Sequence, residues 1–187
     1  AFIASGHSIN PGMYAKMPFD PIRDFAPIAQ TSSTPILIAV TAALPAKNVK
    51  ALAALAKARP GDLSYASQGN GSPGHLAGAL FNSMNGVNTV HIPYKTVPEA
   101  ISDLVAGRLQ MMFMVGPAGL PQIQAGKVRG LAVSQGRRST FAPDLPTVAE
   151  SGLPGYDVSG WNGILATGGT PRPVIPPAGP SSLTWRQ

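Results

Sequence analysis

The chain has 187 residues, enough for one ordinary domain or two small lobes around a buried core, and its 44% hydrophobic content keeps it out of the disordered class. Its net charge is +6, but only Arg137 and Arg138 are adjacent basic residues, so the clustered basic and aromatic footprint of a nucleic-acid binder is missing. The absence of cysteine excludes a disulfide framework, a thiolate nucleophile and a Cys-based metal site, and no apolar run approaches the roughly twenty residues of a membrane span.

Ala1 is not an initiator methionine and nothing after it reads as a signal peptide, so a processed chain or a fragment is expected. Phe2-Ile3-Ala4 looks like the end of a strand, followed by a glycine-containing loop with Ser5, Gly6 and His7. Pro35 to Val40 is a continuous apolar run, the mark of a strand buried on both faces. Asn48 is a plausible N-cap for a helix over Val49 to Ala58, ended by Pro60-Gly61. Leu63 to Ala66 reads as a strand, Gly74 to about Met84 as a helix stopping near Asn85-Gly86, and Thr89 to Ile92 as a short strand. A helix over Val97 to Ala106 closes at Gly107. It is followed by a buried strand at Leu109 to Val115, a short helix at Leu120 to Gln124 and a strand at Val128 to Ser134. Thr147 to Ser151 predicts a helical turn, Tyr156 to Ala166 a long strand, and the proline-rich residues 172–187 a disordered tail. Alternating strands and helices imply an α/β architecture with a largely parallel sheet. Residues 69, 94–96 and 114–117 then fall at strand ends, where open sheets of this kind bind ligands.

The most informative stretch is Tyr65-Ala66-Ser67-Gln68-Gly69-Asn70-Gly71-Ser72-Pro73-Gly74-His75. An apolar strand runs into glycines and hydroxyls, and an alanine- and leucine-rich helix follows at once, with proline suited to its first position. Amides at a helix start lack partners and carry partial positive charge, so small residues there allow a carboxylate or phosphate to be held without Arg or Lys. Residues 69–74 also satisfy G-x-G-x-x-G, which keeps open a cytosolic dinucleotide-binding enzyme; the next strand, however, ends His91-Ile92-Pro93-Tyr94-Lys95, without the acidic residue that holds ribose hydroxyls. No G-x-S-x-G elbow is present, and the eight carboxylates form no metal-ligand spacing. Among the histidines, His7 is the most plausible ligand contact, while His75 and His91 read as structural. Met111, Met112 and Met114 read as core, and Lys95 is either an anion contact or simply solvated.

Several stretches together resemble the substrate-binding proteins of tripartite tricarboxylate transporters, the Bug or TctC-like bacterial periplasmic receptors. They are Ser8-Ile9-Asn10-Pro11, Met17-Pro18-Phe19-Asp20-Pro21, Gly69-Asn70-Gly71-Ser72 with His75-Leu76, His91-Ile92-Pro93-Tyr94-Lys95, Pro146-Thr147-Val148-Ala149-Glu150 and Gly152-Leu153-Pro154-Gly155-Tyr156. The resemblance implies a periplasmic-binding-protein-like (Venus flytrap) α/β fold, with residues 1–38 and 160–171 as part of one lobe and 39–159 as a nearly complete second lobe. It implies a chain truncated at both ends, possessing no enzymatic activity, cofactor or metal. The implied ligand is a small organic carboxylate (a di- or tricarboxylate, aromatic acid or acidic amino acid) bound by a periplasmic monomer that serves membrane transporter subunits. Carried over residue by residue, the contacts are Ser5, Gly6 and His7 from the first lobe. Ser67, Gly69, Gly71, Ser72, His75, Tyr94, Lys95, Thr96 and Met114 come from the second. Thr96 stands where the family commonly has glycine, and Met114 where it often has an acidic or amide residue.

Overall fold

The computed structural model describes residues 1–175, which divide into two compact units: Ala1–Thr34 with the chain from Gly160 onward, and Pro35–Ser159. In chain order the elements are β1 (Phe2–Ala4), α1 (Gly6–Met13), β2 (Phe25–Thr41), α2 (Val49–Ala58), β3 (Ser64–Ser67) and α3 (Pro73–Asn85). They continue with β4 (Val90–Pro93), α4 (Val97–Val105), β5 (Met111–Val115), α5 (Gly116–Gln124), β6 (Val128–Val133) and β7 (Ser159–Thr167).

In the second unit the sheet order is β6-β2-β5-β3-β4. β3 runs parallel to β4 and β5, whereas β2 is antiparallel to both β5 and β6. The sheet is therefore mixed rather than largely parallel. A fully apolar run such as Ile36–Val40 signals burial on both faces, and both strand directions satisfy that.

Two-residue alternation sorts the side chains into two cores. Ile36, Ile38, Val40, Tyr65, Met111 and Phe113 face α2 and α3, where Leu52, Ala77 and Phe81 meet them. Leu37, Ala39, Ala66, Met112 and Met114 face α4, contributing to a core with Ala100 and Leu104. α2 begins at Asn48, whose side chain accepts from the Ala51 amide at 2.8 Å, and α3 ends at Gly86 in the left-handed conformation (φ 59°). α3 lies unusually close to the sheet because it carries glycine at two positions one turn apart. A Cβ at Gly74 would lie 2.4 Å from the Phe113 carbonyl oxygen, and one at Gly78 would lie 2.2 Å from the Tyr65 ring.

In the first unit, β1 pairs antiparallel with β7 (Ile3 opposite Gly163), and β7 neighbours β2. α1 starts at Gly6, so Ser5, Gly6 and His7 form a helix entry and not the expected loop. Tyr156 precedes β7 and is buried, with its hydroxyl donating to the Ala77 carbonyl of α3 at 2.6 Å; the expected strand over Tyr156 to Ala166 therefore begins later. Of the expected tail over 172–187, residues 172–174 form a 3₁₀ turn, and residues 176–187 lie outside the described part of the chain.

Candidate functional site

Because β3, β4 and β5 are parallel, their C-terminal ends lie on one edge of the second unit's sheet. The chain leaves that edge three times into a helix: through residues 68–72 into α3, through 94–96 into α4, and directly into α5 at Gly116. Three helix starts, each with partial positive charge, are thus built into one edge.

The loop after β3 is tightly self-braced. Gly69 (φ 106°) and Gly71 (φ 73°) occupy the left-handed region that glycine alone enters without strain. Ser72 caps α3, its hydroxyl accepting from the His75 amide at 3.2 Å. The Ser72 amide donates to the Gly69 carbonyl at 3.2 Å, and the Gly71 amide donates to His75 Nδ1 at 3.1 Å. The Tyr94 amide donates to the Ser67 carbonyl at 3.1 Å and ties the second exit loop to the first. The expectation of a row of free amides is corrected by this bracing: the amides of Gly71, Ser72 and His75 are already engaged, and Pro73 has none. Those of Gly69, Asn70 and Gly74 have no intramolecular acceptor among the described residues.

His91 is a further brace that alternation on β4 places beside Tyr65 of β3. Its Nε2 lies 2.7 Å from Ser67 Oγ, and Ser67 Oγ lies 3.1 Å from the Gly69 carbonyl. A hydroxyl has one proton and a carbonyl only accepts, so Ser67 donates to Gly69 and accepts from His91. Burial, and secondarily the facing His75, push the His91 pKa down to about 4. The rings of His75 and His91 stack at 4.1 Å and 22°. Ser67 and His91 are within reach of each other as a nucleophile and base would be, but the serine has no exposed surface and its proton is committed to Gly69. The pair holds the loop.

Sequence reasoning passed over Gln68, whose Nε2 is enclosed within this loop and has no partner among the described residues. A buried donor left unmade costs about 1–3 kcal/mol, which an acceptor from solvent or ligand removes. Only its place between Ser67 and Gly69 could have drawn attention to it.

Other expected contacts are placed differently. Tyr94 lies on the α4 side of the sheet, and its hydroxyl donates to Asp103 Oδ2 at 2.6 Å, in a network that Arg108 completes from 2.8 Å. Burial, and secondarily that hydrogen bond, push the Tyr94 pKa up to about 12. The phenol braces α4, because Tyr94 follows Ile92 by two residues and shares its face. Tyr94→Phe should cost about 1 kcal/mol of stability, read by urea unfolding, and leave carboxylate affinity unchanged; a large affinity loss would return the phenol to the site.

Met114 is placed near the end of β5. It has no exposed surface and lies in the core beneath α5, where a Cβ at Gly119 would meet its sulfur at 2.5 Å. Thr96 is the N-cap of α4, with its hydroxyl 3.5 Å from the Glu99 amide, and Lys95 is exposed beside it. In the first unit Ser5 is buried and its amide donates to the Trp161 carbonyl at 2.9 Å. His7 packs against Phe19 and Phe25, with Nε2 2.8 Å from the Pro21 carbonyl, at the start of α1.

The profile of the tripartite tricarboxylate transporter family receptor matches residues 1–177. The UPF0065 protein in the tcbD-tcbE intergenic region of Pseudomonas sp. strain P51 is 37% identical over 173 residues, covering 92% of this chain and 52% of that protein. The solved structure of R. palustris Rpa4515 with adipate superimposes with a TM-score of 0.81 at 36% identity, over 93% of this chain and 58% of that one. MatC from Rhodopseudomonas palustris with bound malate gives 0.80 at 28% identity, over 93% and 60%. The chain thus spans about half the length of the curated relatives it matches and carries an α/β periplasmic-binding-protein fold, one lobe with part of another. It belongs to the tripartite tricarboxylate transporter receptor family.

Proposed function

We propose that this chain is the carboxylate-gripping part of a periplasmic solute receptor, with the second unit as one lobe and the first unit as part of the other. The observation that carries the reading is the Gly69–Ser72 loop, held rigidly by Ser67, His75 and His91 at an edge where three helices start. Its uncommitted amides at Gly69, Asn70 and Gly74, together with the Gln68 side chain, are uncharged donors suited to a carboxylate. α5 adds a start with no side-chain cap, and the exposed Lys95 adds positive charge on the same edge.

Relatives crystallised with adipate and malate support a dicarboxylate as the ligand class. Neutral donors recognise the carboxylate and leave the rest of the solute to other contacts, so chain length and substituents are read elsewhere. The receptor acts as a monomer without a cofactor, catalyses no reaction, and passes its ligand to membrane transporter subunits. Isothermal titration against adipate, malate, tricarboxylates, aromatic acids and acidic amino acids tests this. Saturable binding of at least one carboxylate, and none of its neutral amide, is the expected result. Equal binding of acid and amide, or heat from no carboxylate at all, would contradict it.

A further inference from the structure

We propose that His75 is a proton-operated positioning residue for the Gly69–Ser72 loop: when neutral it holds the Gly71 amide through Nδ1, and when protonated it yields that amide to an arriving anion and adds its own positive charge. This rests on the carboxylate-receptor reading and adds to it a coupling between ligand and proton.

The geometry sets the rule. The Gly71 N–H lies 3.1 Å from His75 Nδ1, a bond that exists only while Nδ1 carries a lone pair. Protonation from solvent forms one Nδ1–H bond and breaks one hydrogen bond, leaving two N–H groups pointing at each other. An anion placed between them accepts from both, so proton and anion favour each other's binding reciprocally. An anion has room beside Gly71, because nothing lies within 4 Å of where its Cβ would be.

α3 shares its core with α2, which carries Lys50 and Lys57, and Lys95 stands on the same sheet edge; α3 and the strands β3, β4 and β5 against which it packs contain no Asp, Glu, Lys or Arg. The titratable groups they do contribute are His91, stacked on His75 at 4.1 Å, and Tyr65, whose hydroxyl lies 3.5 Å from the His75 carbonyl; from outside them Tyr156 reaches Ala77 on the next turn. Both phenols stay protonated, their pKa values raised by burial, and His91 is withheld from the proton by burial. His75 itself is half-buried, with its Nδ1 turned to the Gly71 amide.

The test is titration of the full chain with adipate between pH 8 and 6.2, in two buffers of different ionisation enthalpy. The proposal expects affinity to rise about fivefold across this range, with net proton uptake, and both effects to vanish in His75→Gln, whose amide oxygen still accepts from Gly71. Affinity independent of pH, with adipate still bound, overturns the coupling and leaves the receptor reading standing. Absence of adipate binding at every pH counts against the receptor reading instead. In that case the latch is read without ligand, from the Gly71 amide resonance. A shift that titrates with the His75 ring and disappears in His75→Gln supports the latch, and a Gly71 resonance that stays fixed while His75 titrates overturns it.

Discussion

Gly74→Ala should lower the thermal unfolding midpoint by about 4–10 °C, although alanine is by itself the better helix former by about 1 kcal/mol. The added methyl would lie 2.4 Å from the carbonyl oxygen of the fully buried Phe113 in β5, a backbone atom that has no rotamer to escape into. α3 must therefore lift from the sheet at its first turn. Overpacking of this kind costs about 1–3 kcal/mol, and the severity of this clash places it at or beyond the upper end, so the steric term outweighs the gain in helix propensity. Gly78→Ala meets the Tyr65 ring at 2.2 Å and should act in the same direction, since Tyr65 is itself wedged against Phe113 and His91. Ser83→Ala, on the exposed face of the same helix, is the control and should leave the midpoint unchanged or raise it slightly. A midpoint raised by Gly74→Ala would mean that α3 does not sit as closely on β5 as described.

Gly71→Val should reduce carboxylate affinity by at least about tenfold, equivalent to roughly 1.4 kcal/mol. Two effects combine. The backbone at φ 73° strains a β-branched residue by about 1–2 kcal/mol, so the loop relaxes into another shape and its bond to His75 is lost. The side chain would also stand in open space that an approaching anion occupies. Gly71→Asn separates the two, because asparagine tolerates the left-handed conformation and preserves the loop while still obstructing it. Stability close to that of the unsubstituted chain together with weakened binding is expected for Asn, with both properties impaired for Val. Unaltered affinity in both variants would remove the loop from the site.

Much of the second unit was legible because its signals are local. Asn48, the Pro73 start, Gly86 and Gly107 mark helix ends by their own chemistry, and the apolar runs expected as strands over Pro35 to Val40 and Leu109 to Val115 lie in β2 and, from Met111, in β5. Strand direction was not legible, since β2 lies antiparallel to β5 through contacts some seventy residues apart that no local pattern encodes. The loop itself was found from its glycines and hydroxyls, but its donors were overcounted. A sequence shows that Ser72 and His75 are present and cannot show that the cap and the ring nitrogen consume two of the amides. Tyr94 and Met114 were expected at the cleft from their strand-end positions as well as by resemblance; what the sequence left unread is that the period of two on β4 and β5 turns both side chains to the α4 side. His7 was read as a loop residue because a glycine stands beside it, whereas it lies in α1 and packs against Phe19, Pro21 and Phe25, which come later in the chain.

The most direct measurement is the amide spectrum of isotopically labelled protein as adipate is added. The resonances of Gly69, Asn70, Gly71 and Gly74 should move progressively and saturate together, at a concentration that matches the calorimetric affinity. Saturable binding that leaves these four amides where they were would show that the carboxylate is held elsewhere.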